Sequence, residues 1–167
     1  METLKSIAIE QKVFSLAFNK GAPEAQAVIV VEKSRSKTFR ATTTEGGARW
    51  MSRFLCECSA TNCTSSRYQD LRVSIVGIVR NNNRGIYVEF SCFEKGSKGF
   101  KKVLCFSAGV NQEGWAKAGL EFLFVLDRDL DLGCQNYKAQ MYKKEPSASQ
   151  PKSFNFNWVS RKRPESE

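Results

Sequence analysis

The sequence predicts an α+β fold made of two tandem repeats, each with three or four antiparallel strands followed by one helix. Two observations carry this prediction: segments with a period of two precede a segment with a helical period in the first half, and the same order returns in the second half. The polar segment 59–69 is predicted to be a linker. Neither half can bury a sheet face with one helix, so we expect both to pack together.

The first predicted repeat covers residues 7–60. Alternation of Phe14, Leu16 and Phe18 with small residues predicts a strand, and strands over 27–33 and 38–44 follow from their β-branched content. From residue 48 the period becomes helical. The apolar face of this predicted helix comprises Trp50, Met51, Phe54, Leu55 and Cys58.

The second predicted repeat covers residues 70–130. A strand is predicted over 71–79, and strands over 86–93 and 100–106 form a hairpin around a turn rich in Gly, Ser and Lys. The strand 86–93 alternates, with Ile86, Val88, Phe90 and Cys92 on one face and Tyr87, Glu89, Ser91 and Phe93 on the other. A helix follows from Trp115 to Leu126. The whole domain is placed at residues 7–132, before a basic, partly disordered C-terminal tail at 133–167.

Short matching segments in the same order support an internal repeat. Residues 30–34 match residues 87–91, and residues 37–40 match residues 98–101. A Glu-Gly pair also precedes both Trp50 and Trp115. We therefore expect these two tryptophans at equivalent places at the starts of two helices, each facing a sheet.

The charge of the chain indicates an anionic partner. Its net charge is +9 and its pI about 9.4, which makes nucleic acid the first expectation and a membrane surface the second. No apolar run approaches the roughly 20 residues of a membrane span, and the acidic start of the chain does not resemble a secretory signal. We expect no membrane insertion and an intracellular location, in the nucleus or the cytoplasm. The basic run 161–163 is interpreted as a nuclear localisation signal or a phosphate contact.

The types of polar residue argue against an enzyme. The chain has no histidine, which excludes mixed Cys/His zinc sites and His-dependent catalysis. Its six cysteines lack a paired Cys-x2-Cys motif, so buried free thiols explain them better than a four-Cys zinc site, which stays arithmetically open. Asp127, Asp129 and Asp131 would suit a metal, but a charged helix exit explains them more simply. We expect no catalytic residue, metal or cofactor.

One segment resembles a known family. Residues 83–88, Asn-Arg-Gly-Ile-Tyr-Val, resemble the Asn-x-Arg-Gly-x-aromatic-aliphatic segment of Pur repeats, found in the Pur-alpha group of single-stranded DNA- and RNA-binding proteins. The repeated order of strands and helix is also similar to that group, and Whirly-like proteins share the general architecture. Poorly characterised plant proteins carry the same divergent pattern. The resemblance covers residues 13–126, and the first repeat lacks the Arg-Gly pair.

The resemblance implies a Pur-like domain that binds single-stranded DNA or RNA on its sheet faces. Carried over by position, it implies nucleic-acid contacts at Arg84, Tyr87, Phe93, Lys98 and Lys101 in the second repeat and at Lys37 and Arg40 in the first. Bases would stack on Tyr87 and Phe93, and cations would hold phosphates. The alternative is a protein-interaction adaptor that keeps the fold without binding nucleic acid. A protein partner of the tail, through alternating rings at 154–158, and a homodimer both stay open.

Overall fold

The computed structural model of the protein describes residues 2–96 and 99–127. The described residues form two four-stranded antiparallel sheets and two α-helices, which confirms the α+β prediction. Sheet A contains β1 (Glu2–Ile9), β2 (Lys12–Asn19), β3 (Val28–Lys33) and β4 (Thr38–Thr43), and α1 (Glu45–Ala60) follows it. Sheet B contains β5 (Ser65–Gln69), β6 (Val73–Asn82), β7 (Gly85–Glu94) and β8 (Lys102–Ser107), and α2 (Glu113–Leu126) follows it. Strands are ordered in each sheet as in the chain.

The first strand of each sheet was not predicted. Residues 65–69 fall in the predicted linker, but they form β5 and pair with β6, so the linker prediction is wrong there. This edge strand is polar, and only Tyr68 among its residues packs on the core. β1 joins β2 through a two-residue turn in which Glu10 adopts a positive φ of 58°. Neither strand has the long apolar alternation from which strands are recognised.

The two halves contact each other through their helices and inner sheet faces. The rings of Phe14 in sheet A and Phe106 in sheet B stack with centroids 4.2 Å apart. α1 lies mainly against β5 and β6, whereas α2 lies mainly against β1 and β2, so each helix covers the sheet of the other half. The helices also contact each other, where the buried Ser52 hydroxyl donates to the Gly119 carbonyl at 2.8 Å.

The two tryptophans do not occupy equivalent places. Both lie on helices, but Trp50 is the sixth residue of α1 and Trp115 the third of α2. Trp50 stacks on Phe54 and meets Phe90 edge-on, while the buried Trp115 donates from Nε1 to the Phe106 carbonyl at 2.8 Å. Both rings therefore face sheet B, and the predicted equivalence is wrong.

The match between residues 30–34 and 87–91 also does not mark equivalent positions. It aligns Glu32 with Glu89, yet Glu32 is buried on the inner face of sheet A, whereas Glu89 lies on the outer face of sheet B. A one-residue slip along a strand exchanges its two faces. The sequence match is therefore displaced from the structural register by an odd number of residues.

A buried ion pair from sheet A covers the outer edge of β8. Lys12 Nζ lies 2.7 Å from Glu32 Oε2, and Glu32 is only 3% exposed. The Cys105 backbone N–H donates to Glu32 Oε1 at 2.8 Å, and Lys12 Nζ donates to the Cys105 carbonyl at 3.3 Å. An edge strand normally leaves such groups unpaired. Here the first half satisfies them and is thereby fixed against β8.

Candidate nucleic-acid interface

The central strand β7 has one buried and one solvent-facing side. Val88, Phe90 and Cys92 lie in the core, and the alternate residues face outward, which confirms the predicted alternation. We use the name open face of sheet B for this outward surface. Its members are Ser65, Arg67 and Gln69 on β5, Ser74, Val76, Ile78 and Arg80 on β6, Tyr87, Glu89, Ser91 and Phe93 on β7, and Val103, Cys105 and Ser107 on β8.

The two predicted stacking residues lie at opposite ends of this face. Tyr87 is half-buried, opposite Arg80 on one side and Ser107 on the other, and Phe93 is exposed, opposite Ser74. Six residues of extended strand separate the two rings by about 20 Å. Consecutive nucleotides of one strand are much closer than that, about 3.4 Å along a duplex. The two rings can therefore contact only bases that are several nucleotides apart.

Exposed cations accompany each ring. Arg84 lies in the turn between β6 and β7, where its backbone N–H donates to Asn82 Oδ1 at 2.8 Å. Gly85 follows with φ of 130°, a conformation that glycine adopts without steric cost, which explains the Arg-Gly pair. Lys101 immediately precedes β8, near the Phe93 end of the face. Lys98 lies outside the described residues.

An ion pair lies beside Tyr87 on the open face. Arg80 Nε donates to Glu89 Oε1, and both side chains retain solvent contact. Neither residue was among the predicted contacts. Because the pair is internally balanced, it offers donors and acceptors to base edges, while phosphates are better matched by cations at the rim of the face. Their opposite charges at neighbouring positions of two paired strands were the available sequence signal.

The two predicted contacts in the first half do not share a surface with each other. Lys37 is exposed in the β3–β4 turn, where its carbonyl accepts from the Ser34 backbone N–H at 2.8 Å. Arg40 is opposite Val31 on the outer face of sheet A. Its neighbour Phe39 points to the inner side and is 43% exposed, an unusual exposure for a ring on that side. Phe39 was not predicted, although a ring between cations in a strand is a recognisable signal.

One cysteine thiol lies on the open face of sheet B. The five described cysteines, Cys56, Cys58, Cys63, Cys92 and Cys105, are free. Cys105 lies on the open face, and burial, followed by the nearby Glu32 carboxylate, raises the pKa of its thiol to about 11. It is therefore protonated near neutral pH. Within residues 2–96 and 99–127, no group of three potential ligands could hold a metal ion.

The predicted acidic exit from α2 can be followed only at its first residue. Asp127 Oδ1 accepts from Arg49 Nη2 at 2.6 Å, so this carboxylate forms an ion pair between the two helices. Asp129 and Asp131 lie outside the described residues, as do the tail segments 154–158 and 161–163. The geometry of Asp127 supports a structural role at the end of the helix.

These observations define a class of protein: an α+β protein with two antiparallel sheets, one of which has an open face carrying rings and cations. None of the helices in the described part of the chain is long and apolar enough to cross a membrane. Comparison with models of known protein families finds no match for this chain, and a search of curated proteins finds none either. The resemblance to Pur repeats therefore stays a prediction.

Proposed function

We propose that the protein is a non-enzymatic module that binds single-stranded DNA or RNA on the open face of sheet B. The observation that carries the proposal is the strand β7, whose inner residues lie in the core while Tyr87 and Phe93 remain on the solvent side. Aromatic rings on an accessible sheet face stack on unpaired bases, with little dependence on base identity. The scaffold holds both rings at fixed positions.

The cations around this face have a different role. Arg84 and Lys101 are exposed at its two ends, and Lys98 and Lys37 are proposed to add phosphate contacts. Each phosphate neutralised by Lys or Arg releases counterions, so affinity falls as salt rises. The net charge of +9 supports binding of a polyanion of this kind.

A binding assay with fluorescent single-stranded DNA, single-stranded RNA and duplex at two salt concentrations tests the proposal. We expect single strands to bind more tightly than duplex and more weakly at the higher salt. Replacing Lys98 and Lys101 together by Ala should lower the salt slope by about 0.7 for each phosphate that is no longer neutralised. If the wild-type protein binds no single strand at low salt, the proposal is wrong.

The adaptor alternative is favoured by a different surface. Sheet A exposes aliphatic side chains on its outer face, including Leu4 and Val13. Apolar groups exposed together on a sheet suit a protein partner better than a polyanion. If no single strand binds, while substitution at Leu4 or Val13 reduces association with a protein partner, the adaptor function replaces the nucleic-acid function.

A further inference from the structure

We infer that the first half of the protein completes the binding surface, and that Phe39 supplies a third stacking ring between Tyr87 and Phe93. The end of the β3–β4 hairpin would form a wall beside the open face of sheet B, and we call the space between wall and face the trough. This inference rests on the proposed function. The inference goes beyond that function because it assigns a contact to the first half of the protein. It also gives the bound nucleic-acid strand a path along β7 and β8.

Three residues form a row across the inner face of sheet A. Phe14 on β2 is directly opposite Glu32 on β3, which is directly opposite Phe39 on β4, so all three side chains lie on one face. Phe14 is 0% exposed and stacks on Phe106 in the core, and Glu32 is 3% exposed and binds the edge of β8 at Cys105. The row therefore runs from the core to the edge of sheet B.

The next residue in that row lies past this edge. Phe39 is 43% exposed although it faces the same way as two fully buried neighbours. β4 lies against β8 and becomes buried only from Ala41 onward. The edge of β8 thus separates Phe14, on the core side, from Phe39, on the side of the open face.

The direction of β8 then places Phe39 along the trough. The Cys105 N–H points to Glu32 on β3, while the Cys105 carbonyl points to Lys12 on β2. β8 therefore runs from β4 towards β2 as it passes over sheet A. Phe39 on β4 must lie beside the part of β8 that precedes Cys105, near Val103.

This position fills the gap between the two predicted rings. Val103 is opposite Ser91 on β7, and Ser91 lies between Tyr87 and Phe93. Tyr87 and Phe93 are about 20 Å apart, so a strand stacked on both leaves intermediate bases without a ring on the floor of the trough. Phe39 is placed to stack on one of them from the side.

Charge on the hairpin fits a nucleic-acid strand as the occupant. Arg35 and Lys37 are exposed in the β3–β4 turn, and neither has an acidic partner among the described residues. Cations on the wall can contact phosphates while the bases turn towards Phe39 and the floor. The balanced pair Arg80–Glu89 lies on that floor.

The test compares Phe39 with a matched residue on the opposite side of the same sheet. Val13 is 42% exposed and lies on the outer face of sheet A, away from the trough. Binding of a strand of about 12 nucleotides, within the usual site sizes of 4–16, is measured for Phe39→Ala, Phe39→Leu and Val13→Ala. Phe39→Leu keeps an apolar side chain and removes the ring, so it controls for reduced stability.

We expect both Phe39 variants to weaken binding by at least about fivefold, the lower end of a stacking contribution, with an unchanged salt slope. Val13→Ala should bind like wild type, and Arg35→Ala with Lys37→Ala should flatten the salt dependence. If the wild type binds and Tyr87→Ala weakens binding, but folded Phe39→Leu binds like wild type, this inference is overturned and the proposed function stands. If the wild type binds no single strand, both are wrong.

Discussion

The two sheets share strand order and antiparallel pairing, but their outer faces are chemically different. Sheet A presents mainly small and aliphatic residues there, whereas sheet B adds two aromatic rings and an ion pair to its aliphatic and hydroxyl side chains. The outward set of sheet A includes Leu4, Ala8, Val13, Ile29 and Val31. Because the backbone arrangement is the same, the outward residues alone decide what each face can bind. A fold of this kind does not specify a function, and the function has to be argued from the site.

Two segments of similar sequence, one at the start of β4 and one just before β8, differ in how exposed their aromatic rings are. Residues 37–40 and 98–101 are similar in sequence, yet Phe39 belongs to β4 and is 43% exposed, whereas Phe100 precedes β8 and is 90% exposed. Glu32 and Lys12 bind the edge of β8 next to Phe39. A ring beside a fixed contact is better positioned for a ligand than a ring in a loop.

The largest expected effect contrasts the two glutamates that the sequence match aligns. Glu32→Ala removes the partner of Lys12 and of the Cys105 N–H, so we expect the free energy of unfolding to fall by about 3 kcal/mol, as for other buried pairs. Glu89→Ala breaks an accessible pair with Arg80 and should cost less than about 1 kcal/mol. Urea denaturation of both variants measures the difference. Equal losses would contradict the structural role of Glu32.

The second prediction concerns how fast the Cys105 thiol, on the open face of sheet B, reacts with an alkylating reagent. The pKa of Cys105 is raised from 9.0 to about 11, so near pH 8 its thiolate fraction should be about 100-fold lower than that of an ordinary thiol. Alkylation of Cys105, followed by peptide mass spectrometry, should accelerate as pH rises from 9 towards 11. Folding favours the protonated thiol, so this contribution to stability is present below pH 9 and is lost as pH rises through 11. Rapid labelling at pH 7 would disagree with this environment.

A smaller effect, on the affinity for single strands, should distinguish the outer face of sheet A from the open face of sheet B. Tyr87→Ala should weaken single-strand binding by about 1–3 kcal/mol with an unchanged salt slope, because the substitution removes a stacking ring and no charge. Leu4→Ala, an exposed change on the outer face of sheet A, should leave the affinity unaltered. Val88→Ala should lower stability and reduce binding only through unfolding, because Val88 is in the core. Fluorescence anisotropy titrations and thermal unfolding separate the three outcomes. Wild-type affinity of folded Tyr87→Ala would remove the stacking role.

The smallest expected effect is a difference in salt slope between substitutions of two cations in the first half, Lys37 and Arg40. Lys37 lies in the hairpin turn, whereas Arg40 lies on the outer face of sheet A. We expect Lys37→Ala to reduce the salt slope by about 0.7, the contribution of one phosphate contact. Arg40→Ala should change it less. The slopes come from titrations at several salt concentrations, and a larger change for Arg40 would mean that the ligand contacts the outer face of sheet A.

The sequence contained enough information for the elements with a strong period. The faces of β7 follow from alternation, and α1 and α2 follow from apolar residues recurring at helical spacing. β5 escaped prediction because it is stabilised by backbone pairing with β6 and packs little of its own surface on the core. Among residues 4–9 of β1, Ile7 and Ile9 are buried and the other four are exposed. Edge strands of this kind have a weak pattern because one side of their backbone and most of their side chains remain in water.

The position of Phe39 could not be predicted for a different reason. Its place in the alternation of β4 assigns it to the inner side, together with Ala41 and Thr43, which are indeed buried. The path of β8 across the inner face of sheet A decides which residues of that face are covered and which remain exposed. This path depends on contacts between residues 73 positions apart, such as Glu32 and Cys105, and periodicity carries no information on them.

The ion pair at the edge of β8 has a consequence for biosynthesis. A ribosome makes the N-terminal half first, so Lys12 and Glu32 have emerged long before β8 does. When β8 joins its sheet, the groups that bind its free backbone edge can already be in place. A fragment starting at β5 would lack them, and its exposed edge could pair with a strand of a neighbouring molecule. Such a fragment should form oligomers or precipitate more readily than the chain with both halves, in which Glu32 and Lys12 bind that edge.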